Sequence, residues 1–390
     1  MKAHVLSGID RIDTVAHLLQ GKRVGLMTNP TGIDHHLKST IDIVARRFNL
    51  TALFAVEHGI RGDLQNGQAF DHMVDPATGV TVYCVFGKDA HLTDEMLDTF
   101  DVLLFDIQDI GVRFYTYIFS MGYAMEACTR AGKSMIVLDR INPIGGLKTC
   151  GTILDPAHKS FVGDYELPSR YALTCGELAL YIRDYLHLTL DLTVVPLQGW
   201  ERWMYQDDTD VPWVIPSPNL PTLETALTYI GMCIFEGTNI SEGRGTTQPF
   251  QIAGAPFLDG AKLESAMEGY DLPGIHFRRT SFCPSFHKYK GELCHGVQMH
   301  IINREICDPF AAGMILLDEI RKQAGEHFQI IPRFGYSADN AANPGAYKMD
   351  QLLGLNDYRL GLKTTAQILS EHAPRVAAFA KAAEKYHLYQ

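Results

Sequence analysis

The chain has no pair of cysteines in a CxxC spacing, although it carries eight cysteines. Several stand inside apolar runs, Cys84 in TVYCVFG and Cys233 in GMCIFEG. Dispersed in this way they read as buried thiols of a reducing compartment, not as a disulfide framework. Cys283, His287, Cys294, His295 and Cys307 are the group that prompts a thought of zinc, and their spacings match no standard zinc pattern. No run approaches the ~18 apolar residues that a membrane span needs. The N-terminal MKAHVLSGIDRI lacks the apolar stretch of a secretory leader. As written the chain reads as cytoplasmic; a periplasmic or secreted chain already trimmed of its leader would read the same. Lys and Arg are scattered without a basic stripe and the formal net charge is −11, which argues against a nucleic-acid partner and for a small polar ligand. Internal repeats and low-complexity segments are absent, and nothing in the pattern sets an oligomeric state.

Several motifs are missing as well. There is no GxxxxGK[ST] phosphate loop, no GxGxxG after the first strand, no GxSxG elbow and no HExxH. No cofactor is therefore expected. Glu57, His58, Asp63, Asp106 and Asp109 could chemically form a metal site, but no spacing supports one, and none is assigned.

What the chain does have is core material. Its 390 residues are 46% hydrophobic and 20% charged, ordinary for a soluble protein and better suited to two domains than one. Four apolar strands in the first 140 residues end in polar clusters: RVGLMTN at Asn29, LTALFAVEHG at Glu57-His58, VLLFDIQD at Asp106-Gln108-Asp109, and SMIVLDRIN at Asp139-Arg140-Asn142. Strands apolar along their whole length belong to parallel sheets covered on both faces. The intervening helical patterns complete a β-α-β alternation, which predicts an α/β fold, a doubly wound, mostly parallel sheet. Ligands of such sheets bind beyond the carboxyl ends of the strands.

Thr174 and Glu177 form a capping box that opens a helix, and Pro196 suggests that TVVPLQGW is an edge strand. Residues 143–173 are rich in Gly, Pro and polar side chains and are expected to wrap the sheet edge or cover the crevice. VPWVIPSPNLPT, residues 211–222, has four prolines and is the best linker candidate. Beyond it, GVQMHII alternates like a strand, Asp308-Pro309 opens a helix, and residues 364–387 read as two short helices divided near Pro374. The expected domains are 1–222 and a smaller α+β domain, 223–390.

Glu57-His58-Gly59, followed by Arg61-Gly62-Asp63, is the sharpest local signal. A carboxylate leaving an apolar strand is partly desolvated and suited to general-acid work; the plainer reading is a structural Glu at a strand end. The stretch from Asp106 to Tyr117 gathers Asp106, Gln108, Asp109, Arg113, Tyr115 and Tyr117 into one strand-to-helix turn. An Arg there can hold a carboxylate in a bidentate pair, and a Tyr can stack on and hydrogen-bond a sugar. The plainer reading is an internal Asp–Arg pair, and the same choice applies to Asp139, Arg140 and Asn142. Asn29-Pro30-Thr31-Gly32 is a turn whose Asn29 could contact ligand. Glu236, Asn239, Ser241, Glu242 and Arg244 form a second polar cluster with enough Gly to bring backbone close to a ligand.

Taken together, GLMTNPTGID, EHGIRGD, DVLLFDIQDIGVRFYTYI, VLDRINPIGG, SFVG, TCGELA, PSPNLPT, FEGTNISEGRGTTQPF, GAPF and MDQLLGLNDYR resemble the exo-acting β-N-acetylmuramidases, formerly a large domain of unknown function. The matches extend from about residue 8 to about residue 360. The resemblance implies a Rossmann-like N-terminal domain, a smaller C-terminal domain and an active site in the cleft between them. It also implies hydrolysis of terminal β-linked N-acetylmuramic acid from the non-reducing end of peptidoglycan fragments. Glu57 falls on the family's leading catalytic candidate, and Asn219 lies in the matching PSPNLPT. Two positions depart from the pattern: Ile141 stands where proline is common, and Tyr171-Ala172 where a His-Gly pair is usual.

The resemblance implies glycoside hydrolysis, and an acid at a strand end is consistent with Glu57 as its general acid. Asp106, Asp109 and Glu242 are the candidates for the second catalytic group, unless the substrate's own 2-acetamido group serves. Arg113, Arg140 and Arg244 are candidates to clamp the lactyl carboxylate, with Asn29, His58, Arg61, Gln108, Tyr115, Tyr117, Asp139, Asn142, Asn219, Glu236, Asn239 and Ser241 as further sugar contacts. The competing class is a non-catalytic binder or sensor of cell-wall sugars, which keeps the clamp and needs no acid.

Overall fold

The computed structural model describes residues 2–57, 59–61, 72–86, 90–333 and 345–390. Strands β1 (Arg23–Thr28), β2 (Asn49–Ala55), β3 (His72–Val74), β4 (Thr81–Cys84), β5 (Val102–Asp106), β6 (Ser134–Leu138) and β7 (Leu192–Val195) form one sheet in the order β3-β4-β2-β1-β5-β6-β7. Every neighbouring pair is parallel except β3 with β4. The expected doubly wound sheet is therefore present, with β7 on its edge just ahead of Pro196.

The apolar strands are buried because both faces are covered. Val24, Leu26, Leu53, Leu104 and Ile136 pack under a 3-10 turn at Gly8–Val15, helix α1 (Ala16–Leu19) and helix α2 (Thr40–Arg47). Met27, Phe54, Leu103, Phe105 and Val137 face the other side, under α3 (Asp94–Leu97), α4 (Tyr117–Ala131) and α5 (Cys175–Tyr185). Helix α5 starts on the expected capping box: Thr174 Oγ1 accepts from Glu177 N, and the Glu177 carboxylate accepts from Thr174 N at 3.0 Å.

The second half holds an antiparallel sheet of β8 (Ile252–Ala255), β9 (Ile275–Phe282) and β10 (Cys294–Ile301), in the order β8-β10-β9. Helices α6 (Leu223–Met232) and α7 (Gly260–Glu268) pack on it, α8 (Pro309–Ala324) packs on both, and α9 (Lys348–Leu353) and α10 (Thr365–Ala383) complete this half. Asp308 caps α8 by accepting from Ala311 N at 3.0 Å. One apolar cluster runs from Phe54 and Phe105 through Phe235 and Phe310 to Phe379 in α10, so the two halves share a core.

Of the two irregular segments, residues 211–222 depart from their sequence-based expectation, whereas residues 143–173 reach the crevice as expected, through Phe161 and Val162. Residues 211–222 do not hang between domains; Tyr117 Oη donates to Pro216 O at 2.6 Å and Trp213 Nε1 to Leu220 O at 3.2 Å. Proline there sets a wall, not a flexible tether. Residues 143–173 are tied to the second half, with Thr152 Oγ1 donating to Leu353 O at 2.5 Å, Asp155 N to Gly354 O at 2.9 Å and Ile153 N to His372 Nδ1 at 3.0 Å.

The division expected at Pro374 is also absent. α10 is one helix of 19 residues with Pro374 inside it, followed by a 3-10 turn at Glu384–Tyr386. Ile368, His372, Val376, Phe379 and Ala383 recur on its buried face, and that burial outweighs the lost backbone donor and ring clash of an interior proline. Pro374 itself is exposed. Pro374→Ala is accordingly expected to stabilise the protein by about 1–3 kcal/mol, seen as a higher unfolding midpoint; an unchanged or lower midpoint would contradict this account of α10.

Candidate active site

The strand ends divide into two groups. The first locks the sheet. At the end of β5, Asp106 is fully buried and accepts from Arg140 Nε at 2.5 Å and Arg140 Nη2 at 2.8 Å, with a further bond from Thr40 Oγ1. Arg140 also donates to Ile33 O at 3.0 Å. This pair ties β5, the end of β6 and the start of α2 together. It corrects the expectation for both residues: here the internal salt bridge prevails, and neither side chain reaches the cleft around Glu57.

Asp139 accepts from Arg140 N at 2.8 Å, Gly176 N at 2.7 Å, Thr174 Oγ1 at 2.8 Å and Tyr389 Oη at 2.5 Å. It anchors the start of α5 and the C-terminal tail. Gln108 donates to Asp109 O at 2.6 Å and Ile141 O at 2.8 Å, and Asn142 to Leu173 O at 3.0 Å. Arg61 pairs with Asp75 at 2.8 Å. All of these are braces. Arg113 is buried, with Nη2 donating to Leu352 O at 3.0 Å, and burial lowers its pKa to about 9. It faces backbone carbonyls, not a substrate carboxylate. His58, like Gly62 and Asp63, lies outside the described residues.

The second group opens into a cavity of about 240 Å³. Glu57, half-buried just past β2, lines it together with Tyr115 and Tyr117 from the start of α4. Tyr115 and Tyr117 meet edge to face with centroids 4.9 Å apart, and Tyr229 of α6 stands 4.7 Å from Phe250 in the same manner. Ser217 and Leu220, either side of the buried Asn219, continue the wall.

The opposite wall is charged. Glu236 lines the cavity and accepts from Arg244 Nη2 at 2.5 Å and Nε at 3.1 Å, while Lys348 Nζ pairs with its other oxygen. Burial opposes the charge on Glu236, yet the two cations drive its pKa well below the usual range. Glu242, fully buried behind them, pairs with Lys288 at 2.8 Å, His287 at 3.2 Å and Arg244 at 3.4 Å. That placement corrects the expectation of Glu242 as a reacting group, because it steadies Arg244 without lining the cavity. Asn239 braces His327 O and Gln329 N at 2.8 and 2.9 Å, and Ser241 Oγ accepts from Gly243 N at 3.3 Å. Both shape the loop. Taking Glu242 with Lys288, the cavity wall retains two cations for the one carboxylate of Glu236.

Asn29 and Asp109 sit behind Tyr117. Asn29 Oδ1 accepts from Thr31 N at 2.9 Å, and its Nδ2 is buried with no hydrogen bond among the described residues. Asp109 Oδ2 accepts from Gly111 N at 2.6 Å and from the Tyr171 hydroxyl, while Oδ1 is likewise buried without a partner. Burial is the largest cause raising the pKa of the Tyr117 hydroxyl, and the charges of Glu57 and Asp109 add to the rise. The two departures from the family pattern are accommodated here. Tyr171 takes a place on Asp109. Ala172 adopts φ of 58°, where the resemblance has glycine. Ile141 packs with Val5, Leu197 and Trp200.

Sequence reasoning missed Lys348, Phe86, Phe161, Tyr229 and Phe250, all of which line the cavity. Lys348 immediately precedes MDQLLGLNDYR, a usable signal; the rings look like ordinary core. Among the described residues no group of three or more His, Cys, Asp or Glu side chains could hold a metal ion.

An acid at a strand end, facing a cationic wall across aromatic side chains, is the arrangement of a carbohydrate-active hydrolase that takes an anionic sugar. Residues 24–224 match the family model described as exo-beta-N-acetylmuramidase NamZ, N-terminal, and residues 227–389 match its C-terminal counterpart. The chain belongs to this family. It is 41% identical over 394 aligned residues to the peptidoglycan beta-N-acetylmuramidase NamZ of Bacillus subtilis strain 168, covering 100% of this chain and 92% of the relative. It also resembles the crystal structures of two DUF1343 family proteins of Bacteroides fragilis, with TM-scores of 0.89 and 0.71 at 35% and 29% identity, each covering 99% of both chains.

Burial pushes Asp109 up to about 7 and Asp139 up to about 6, against roughly 3.9 for a free Asp. Between those values the folded chain keeps protons that the unfolded chain releases. Their stabilising contribution is therefore complete below pH ~4 and is lost as pH rises through 6 to 7. Asp109→Asn keeps an acceptor for Gly111 and Tyr171 and has no proton to lose. The variant should lose less stability than the parent between about pH 5 and pH 7.5, measured by chemical denaturation at both; equal losses would refute the assignment.

Proposed function

We propose that the chain is an exo-β-N-acetylmuramidase that removes β-linked N-acetylmuramic acid from the non-reducing end of peptidoglycan fragments. Residues 1–222 supply the acid and residues 223–390 the cationic wall. The observation that carries this reading is the presence of Glu57, Arg244 and Lys348 in the lining of one cavity, in a member of this family. A muramic acid bears a lactyl carboxylate that a glucosamine lacks. Two cations around the single carboxylate of Glu236 provide for a second carboxylate brought by the substrate.

Glu57 gives its proton to the glycosidic oxygen as the bond from that oxygen to the anomeric carbon breaks. Water supplies the oxygen that the anomeric carbon gains, and its remaining proton restores the acid. The ion pairing of Asp106 and Glu242 supports Asp109 as the remaining carboxyl. Asp109 lies behind Tyr117 and does not line the cavity, so any part it has in orienting the substrate's 2-acetamido group runs through that ring. No helix among the described residues is long and apolar enough to cross a membrane.

Glu57→Gln should keep the fold and lower turnover of a β-muramide on the order of 10²–10⁴-fold. Near-normal turnover would remove Glu57 from the mechanism, and binding with no turnover by the parent protein would favour a sensor. Lys348→Met leaves Arg244 on Glu236, so the variant should fold. Its KM for a β-muramide should rise roughly tenfold to a hundredfold, and the preference over the matching glucosaminide should shrink. A parent protein without that preference would end the clamp assignment.

A further inference from the structure

Glu57 stands beside two phenylalanines to which the preceding chemistry gives no task. Strands β2 and β4 run parallel, with Phe54 opposite Tyr83 and Ala55 opposite Cys84, and Val85 N still donates to Ala55 O at 2.9 Å. Continued two residues, that register sets Phe86 beside Glu57, and both line the cavity. Phe86 meets Phe161 with ring centroids 5.6 Å apart and planes at 69°.

Phe161 comes from a separate part of the chain. Ser160 N donates to Gly163 O at 2.7 Å and Gly163 N to Ser160 O at 2.9 Å. This closes a turn over the SFVG stretch and leaves Phe161 and Val162 at its tip, facing the cavity. Both Phe86 and Phe161 remain half-buried, unlike the rings of the core, so each offers apolar surface to whatever enters.

A general acid lies on the leaving-group side of the bond it cleaves, because its proton goes to the departing oxygen. What stands next to Glu57 therefore meets the departing sugar, while Arg244 and Lys348 hold the muramic acid from the other wall. A pyranose ring presents a face of C–H groups that fits an aromatic surface. We infer that Phe86 and Phe161 form the subsite for the leaving sugar, an uncharged pyranose such as N-acetylglucosamine. This inference rests on the muramidase reading of the cavity.

The test compares two substrates in the full chain: a β-muramide whose leaving group is N-acetylglucosamine, and trifluoroethyl β-muramide, whose leaving group has no ring. Phe161→Ala is expected to lower kcat/KM roughly tenfold on the first and leave the second unchanged. Phe161→Tyr, which keeps the ring, should restore the first. Unchanged turnover of the trifluoroethyl substrate also shows that the variant is folded. Equal losses on both substrates, or no loss on either, would overturn the subsite. If the parent protein hydrolyses neither substrate, the muramidase reading itself fails and the subsite falls with it.

Discussion

The cavity depends on one buried cation that does not line it. Arg113 leaves the turn after β5 and donates to the carbonyls of Gln351 and Leu352 at the end of α9. Those carbonyls lack partners within their own helix and carry its negative end, so a guanidinium suits them. The contact holds α9 in place, and α9 begins with Lys348. A Cβ on Gly163 would lie 3.0 Å from Arg113 Nη1, and one on Gly354 would lie 3.3 Å from Nη2. The turn carrying Phe161 and the segment ending α9 thus both rest on the same side chain. Burying that charge without a carboxylate is costly, as its lowered pKa reflects. The gain is position: a strand-end acid, a cation from the second half and an aromatic turn converge on one space.

Charge is used in two opposite ways around that space. At the strand ends, Asp106 with Arg140 and Asp139 with the α5 terminus are closed sets, every acid answered by donors of the chain itself. Such sets hold backbone in register, and none of their acids lines the cavity beside Glu57. The far wall is an open set. Glu236 is shared by Arg244 and Lys348, while Glu242 pairs with Lys288, His287 and the other side of Arg244. On the proposed reading a substrate carboxylate would complete that set, tying recognition of muramic acid to charge balance as well as shape.

Local chemistry was readable without coordinates. The apolar runs of β1, β2, β5 and β6, the capping box of Thr174 and Glu177, and the Asp308-Pro309 helix start all follow from contacts a few residues apart. The place of Glu57 was legible because an acid just after an apolar strand must emerge at the carboxyl end of the sheet, and the family resemblance made it the leading candidate among the strand-end acids. Arg113, Arg140 and Arg244 looked equivalent in sequence, since each sits in a polar, Gly-containing turn. They parted only in three dimensions. Arg140 met an acid 34 positions away, Arg113 met carbonyls more than 200 positions away, and Arg244 alone lined the cavity.

The parallel, two-sided covering of the sheet, the family and the position of Glu57 at a strand end were thus legible in the sequence, because periodicity, caps and contiguous motifs are local properties. Tertiary structure decided which charged groups cancel one another and which remain for a ligand. It also decided that Pro374 sits inside a helix and that residues 211–222 form a wall. Pairing energies and burial depend on partners the chain brings together from far apart, and no local pattern records them.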